Sequence, residues 1–195
     1  MVSLEKISVF SALVLYIASS CCYFRSGKNK GITRAAFLLA ATGLIANLFT
    51  LVHRTMVSGR LPLANGYEFI LCFTCLTVLM YLIYDVTRDI KNAGGPVMLI
   101  AALLLLAIVI LMPDQFDVLT PLMPALKSPW LASHVLTAVI AYGAFALAAG
   151  LAVFQLRAIT STGMDYTVYR IVAVGFAMLS LSIVLGAIWA EQAWG

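Results

Sequence analysis

The 195-residue sequence is 63% hydrophobic and 10% charged, carries a net charge of +4, and has a mean hydropathy of +1.04. Soluble domains hold roughly 45–50% apolar and about 25% charged residues, so this composition excludes a water-soluble globular domain and demands a bilayer as solvent. The cations sit in short gaps between apolar runs, where they set topology; the positive charge is therefore no nucleic-acid footprint.

Inside a bilayer only helices or closed barrels satisfy the backbone. The apolar runs are about 18–25 residues long, where barrel strands would alternate over segments of about 10. The chain therefore reads as one all-α polytopic transmembrane domain over residues 1–195, with six spans at about 7–24, 33–52, 68–86, 96–112, 130–155 and 168–190. Turn-forming residues separate them: Ser26 to Gly31 after the first, Pro62 to Gly66 before the third, Asn92 to Pro96 before the fourth and Pro113 after it. No gap is long enough for a further domain, and the sequence shows no internal repeat.

Lys and Arg counts predict the orientation. The N-terminus and the even gaps hold Lys6, Arg54, Arg60 and Lys127. The odd gaps hold Arg25, Lys28, Lys30, Arg34, Arg88, Lys91, Arg157 and Arg170. Eight against four places both termini on the outer face. Only Lys6 precedes the first span and basic residues follow it, which suits an anchor better than a cleaved signal, despite the lipoprotein-like Ala18-Ser19-Ser20-Cys21. Trp130, Trp189 and Trp194 then all fall at the outer boundary.

Within that frame a few residues carry chemistry. His53 and Arg54 end the second span, where a His-Arg pair either meets lipid headgroups or supplies a ligand. Asn65 and Glu68 match a capping box, in which Glu68 returns to the Asn65 backbone; a carboxylate at a membrane boundary also suits a cationic partner or a cofactor. Cys72 and Cys75 lie one turn apart in apolar surroundings that keep thiols inert. Ser128-Pro129 opens the fifth helix as N-cap and first-turn proline. His134 follows one turn later, above Ala138 and Ala141, small residues that let another helix approach closely. Its spacing leaves two readings open: an interfacial histidine bonded to a neighbour, or a metal or haem ligand. Ser182, Gly186 and Ala190 recur every four residues as a packing stripe in the sixth span. Gly43 with Asn47 is the nearest approach to a transporter's broken helix, and it has no matching half.

Three stretches, in order, resemble cytochrome c biogenesis proteins of the CcsA (ResC) type, within the haem-handling superfamily that includes CcmC and CcmF. They are Val57-Ser58-Gly59-Arg60-Leu61-Pro62 through Tyr67-Glu68; Trp130-Leu131-Ala132-Ser133-His134-Val135 with Ala141-Tyr142-Gly143-Ala144; and Tyr169-Arg170 through Gly175-Phe176 to Gly186-Ala187-Ile188-Trp189-Ala190-Glu191-Gln192-Ala193-Trp194-Gly195. Arg60 stands where the family pattern has histidine. The family's W-x-W-D-P-K-E motif is expected just beyond Gly195, with the family's last helices after it.

The resemblance implies a multi-pass protein of the bacterial cytoplasmic (inner) membrane that binds haem and presents it at the outer face. There, with a ResB/CcsB-type membrane partner, the family promotes thioether attachment to C-x-x-C-H of apocytochrome c. It implies His134 as an axial ligand of the haem iron and Trp189 and Trp194 as aromatic rings packed against the porphyrin; Trp130 and the boundary residues Glu68 and His53 complete the cofactor-binding candidates. With the outer motif absent, the chain reads as a haem-binding assembly factor with no catalytic residue of its own. The alternatives are a HemX-like regulator of haem synthesis, which shares the architecture, and a small transporter or scaffold.

Overall fold

The structure is a computed structural model that describes residues 3–88, 93–118, 124–157 and 164–195. Lys91 and Asn92, used above for orientation and for a turn, lie outside the described residues. Among the described residues there are six α-helices: α1 (Leu4–Ser26), α2 (Lys30–Ser58), α3 (Gly66–Arg88), α4 (Gly94–Leu111), α5 (Pro129–Arg157) and α6 (Met164–Trp194). All six are long and apolar enough to cross a membrane. The expected all-α polytopic architecture is what the chain adopts, and it is an integral multi-pass membrane protein.

The helices outrun the apolar spans by several residues, because polar caps carry the backbone ladder past the end of the hydropathy. The Ser3 hydroxyl accepts from the Lys6 amide at 3.1 Å. Asn29 Oδ1 accepts from the Gly31 and Ile32 amides, which shortens the expected Ser26–Gly31 turn to three residues. Ser128 caps α5 as its sequence indicates, its Oγ accepting from the Trp130 amide at 3.2 Å.

Packing follows membrane rules rather than soluble ones. Lipid is as apolar as leucine, so small and polar residues can take the inward face of a helix while large apolar ones face outward. On α1 the buried stripe is Glu5, Ser8, Ala12, Tyr16, Ser19 and Tyr23, while Ile7, Phe10, Val14 and Ile17 face outward. α1 packs on α2 and α4, α3 on α2, α4 and α5, and α6 runs along α5. Up-and-down connectivity gathers the start of α1, the end of α2, the start of α3, the end of α4, the start of α5 and the end of α6 at one end of the bundle. Every candidate site residue lies in the helical turns or loops of that end.

Candidate functional site

His134 stands in the second turn of α5 and faces α6. Its Nδ1 lies 2.7 Å from the Ser182 carbonyl oxygen and 3.0 Å from Ser182 Oγ. A carbonyl only accepts, so Nδ1 carries the proton. Ser182 Oγ in turn donates to the His134 carbonyl at 3.0 Å, tying the two helices reciprocally. In a neutral ring with Nδ1–H so committed, Nε2 is the nitrogen with the free lone pair, and it makes no hydrogen bond within the described residues. A backbone carbonyl on one nitrogen, fixing tautomer and ring plane, is the usual support of a metal-ligating imidazole. The approach depends on Gly186: a Cβ there would lie 2.8 Å from Nδ1 and 2.9 Å from Cε1. The stripe of small residues in α6 is thus the floor on which His134 rests, and Ala138 and Ala141 are buried beside it.

The tryptophans border the same end. Trp189 donates from Nε1 to the Ala125 carbonyl at 2.9 Å, fastening the segment before α5 onto α6. Trp130 is part-exposed and Trp194 is 72% exposed, a free aromatic surface at the tip of α6. Among the described residues no group of three or more His, Cys, Asp or Glu converges as a metal-ion cage. Iron already held by a porphyrin needs only axial ligands from protein, and the proton placement on His134 fits that role.

Glu68 and Arg54 belong to a second assembly, most of it unforeseen. Arg54 is fully buried and does not reach the headgroups. Its Nη1 donates to Glu5 Oε1 at 2.7 Å, its Nε to Glu68 Oε1 at 2.9 Å and its Nη2 to the Val118 carbonyl at 2.8 Å. The guanidinium also covers the Tyr67 ring at 4.8 Å. Glu68 takes a second guanidinium, Arg60, at 2.8 Å and 3.2 Å. Glu5 further accepts from the Tyr67 hydroxyl at 2.6 Å and from the Asp117 amide at 3.3 Å. Two carboxylates and two guanidiniums balance, and a neutral, fully bonded network is what makes charge tolerable in a dry interior.

The capping box proves to be half a box. Asn65 Oδ1 accepts from the Glu68 amide at 2.9 Å, but the Glu68 carboxylate returns to the Ala64 amide, at 2.8 Å, one residue earlier than expected. Its cationic partners come from this chain. His53 stacks on Phe49 with centroids 6.1 Å apart, and its buried Nδ1 makes no hydrogen bond among the described residues. Cys75 is buried, Cys72 donates weakly to the Pro62 carbonyl at 3.5 Å, and both are free thiols. No hydrogen bond or ring contact joins His134 to Glu68 or His53 among the described residues. The six candidates thus divide into an α5–α6 group and an α2–α3 group at the same end.

Sequence reasoning overlooked Glu5, Arg54 as a buried anchor, and Ser182 as the partner of His134. One signal was available: Glu5 in the first turn of α1, Arg54 near the end of α2 and Glu68 in the first turn of α3 share one end of any antiparallel bundle.

Residues 63–195 match the family described as Cytochrome C assembly protein. The chain belongs to that family. The matched region contains Glu68, Trp130, His134, Ser182, Trp189 and Trp194, whereas Glu5, His53, Arg54 and Arg60 precede it. This cytochrome c assembly protein is 29% identical over 181 residues to the cytochrome c biogenesis protein CcsA of Chlamydomonas reinhardtii, covering 85% of the chain and 51% of that relative. It is 28% identical over 226 residues to CcsA of Parasynechococcus marenigrum (strain WH8102), covering 95% and 73%. With CcsA of Prochlorococcus marinus (strain MIT 9515) it shares 30% identity over 193 residues, covering 78% and 61%. The chain thus spans about half to three quarters of the length of these relatives.

Proposed function

We propose that this chain acts in c-type cytochrome biogenesis by binding haem as cargo and presenting it at the outer face of a bacterial cytoplasmic membrane. There a ResB/CcsB-type membrane partner and apocytochrome c receive it. The observation that carries the reading is the His134–Ser182 pair: an imidazole with Nδ1–H committed to a carbonyl and Nε2 left free has the tautomer an iron axial ligand requires. Membership of the cytochrome c assembly family supplies the class of cargo.

In this reading His134 holds the iron and Ser182 fixes the ring. Trp130, Trp189 and Trp194 offer aromatic surface to a flat apolar macrocycle. Glu68 contributes by anchoring the turn before α3 through Arg54 and Arg60, and His53 stands as a further nitrogen donor beside Phe49. When bound, haem supplies the carbons that become thioether-linked to the C-x-x-C-H cysteines.

The test is a visible absorption spectrum of the purified chain under reducing conditions, with and without a ResB-type partner. A Soret band with resolved α and β bands is expected. It should fall in His134→Gly and return when imidazole is added to that variant. A spectrum indifferent to His134 overturns the ligand assignment. A chain without a haem band in either preparation overturns the reading that these residues hold haem.

A further inference from the structure

α1 and α2 run antiparallel in a register set by four contacts. Glu5 meets Arg54, the Ser8 and Thr50 hydroxyls lie 2.7 Å apart, the Tyr16 ring packs on Gly43, and Ser19 donates to the Ala36 carbonyl at 2.8 Å. A Cβ on Gly43 would sit 2.7 Å from Tyr16 Cε1, so only glycine admits the ring there. The same register brings Asn47, one turn beyond Gly43, opposite Ala12. In a helix a long side chain leans toward the N-terminus, which carries the Tyr16 hydroxyl from Gly43 toward Asn47. The two side chains are neighbours.

That junction is fully enclosed: Tyr16 is 0% and Asn47 1% exposed. Yet the Tyr16 hydroxyl, Asn47 Oδ1 and Asn47 Nδ2 make no hydrogen bond among the described residues. Asn47 lies seven residues from Arg54, about 10 Å deeper along the helix. Three orphan polar atoms at that depth are costly when dry. Polar groups inside a membrane bundle are retained where they have partners.

We infer that Tyr16 and Asn47 form a buried water-binding site between α1 and α2. The water accepts from the Tyr16 O–H or from Asn47 Nδ2–H and donates to Asn47 Oδ1, giving it the two to four polar partners that an internal water needs. The Ser8 and Thr50 hydroxyls, 2.7 Å apart, lie between the site and the charged end, one donating to the other and each within reach of a backbone carbonyl of its own helix. The site is defined by Tyr16 and Asn47. It is independent of haem binding and of every residue assigned to that role.

Water-edited solid-state NMR of the 15N-labelled full chain in lipid bilayers tests this. Asn47→Asp identifies the Asn47 side-chain amide signal. The expected result is build-up of that signal from water magnetisation as early as that of the exposed helix cap Asn29, and well ahead of the buried Ala36 backbone amide. Build-up no earlier than Ala36 overturns the site and leaves a dry polar contact. Tyr16→Phe, which keeps the ring on Gly43, should retain the transfer, because the water remains on the Asn47 amide. Loss of transfer in that variant would show that the signal came through the phenolic proton, and would overturn the proposal as well.

Discussion

The sharpest consequence of the structure concerns Arg54, which stands at the junction of α1, α2, α3 and the segment after α4. Arg54→Met keeps most of the stem volume and removes three hydrogen bonds and the cation over Tyr67. Glu68 keeps Arg60 and the Ala64 amide. Among the described residues Glu5 keeps the Tyr67 hydroxyl and the Asp117 amide and loses its cation. Removing one member of a buried ion pair costs about 3–5 kcal/mol, because a charge is left uncompensated. At about 2–4 °C per kcal/mol for a chain of this size, the midpoint should fall by roughly 6–20 °C. Neutralising the stranded carboxylate should recover part of that loss. Glu5→Gln with Arg54→Met restores charge balance, and the pair should unfold above Arg54→Met alone, with a coupling of about 1–3 kcal/mol. The assay is thermal unfolding in detergent followed by size-exclusion fluorescence, with the four proteins run together. An Arg54→Met midpoint within about 2 °C of the parent, less than one kcal/mol on that scale, would refute the reasoning. So would a double variant no more stable than the single one.

Three further outcomes follow from individual contacts. Gly186→Ala should force the His134 ring off the Ser182 carbonyl, costing about 1–3 kcal/mol of overpacking and weakening the Soret band more than the same change at exposed Gly27 or Gly59, if haem binding is as proposed. Asn65→Ala removes the cap on the Glu68 amide and should cost about 1 kcal/mol, with Asn65→Asp close to the parent by the same thermal assay. Topology is checked by reporter fusions: alkaline phosphatase joined after Gly195 should be active and the same enzyme joined at Lys28 inactive, with the reverse pattern refuting the outer placement of both termini.

How far each feature was legible depends on the range over which it is encoded. Six helices were plain because hydropathy is local, and a run of some twenty apolar residues has one solution in a bilayer. The start of α5 at Ser128-Pro129 was equally plain, since a cap and a first-turn proline act within a few residues. His134 was identified as a candidate because an ionisable residue among Ala138 and Ala141 is conspicuous. Its tautomer was hidden, because the carbonyl that decides it belongs to Ser182, 48 residues away. The Glu68 carboxylate was assigned to the Asn65 backbone, three residues away, whereas folding brings it the Ala64 amide and two guanidiniums. Arg54 looked like a headgroup contact until the register of α1 on α2 brought Glu5 to it.

What the sequence determined by itself is the class and the punctuation: a polytopic helical membrane protein, its spans, the Ser128 cap of α5 and the end at which the candidate site residues gather. What only the tertiary structure decided is which of those residues meet. A small and polar stripe can mark the inward face of a membrane helix, but it does not say which helix that face meets or in what register. The buried stripe of α1, the Tyr16–Asn47 junction and the neutral cluster around Arg54 are properties of helix neighbours and register, set by packing between segments far apart in the chain.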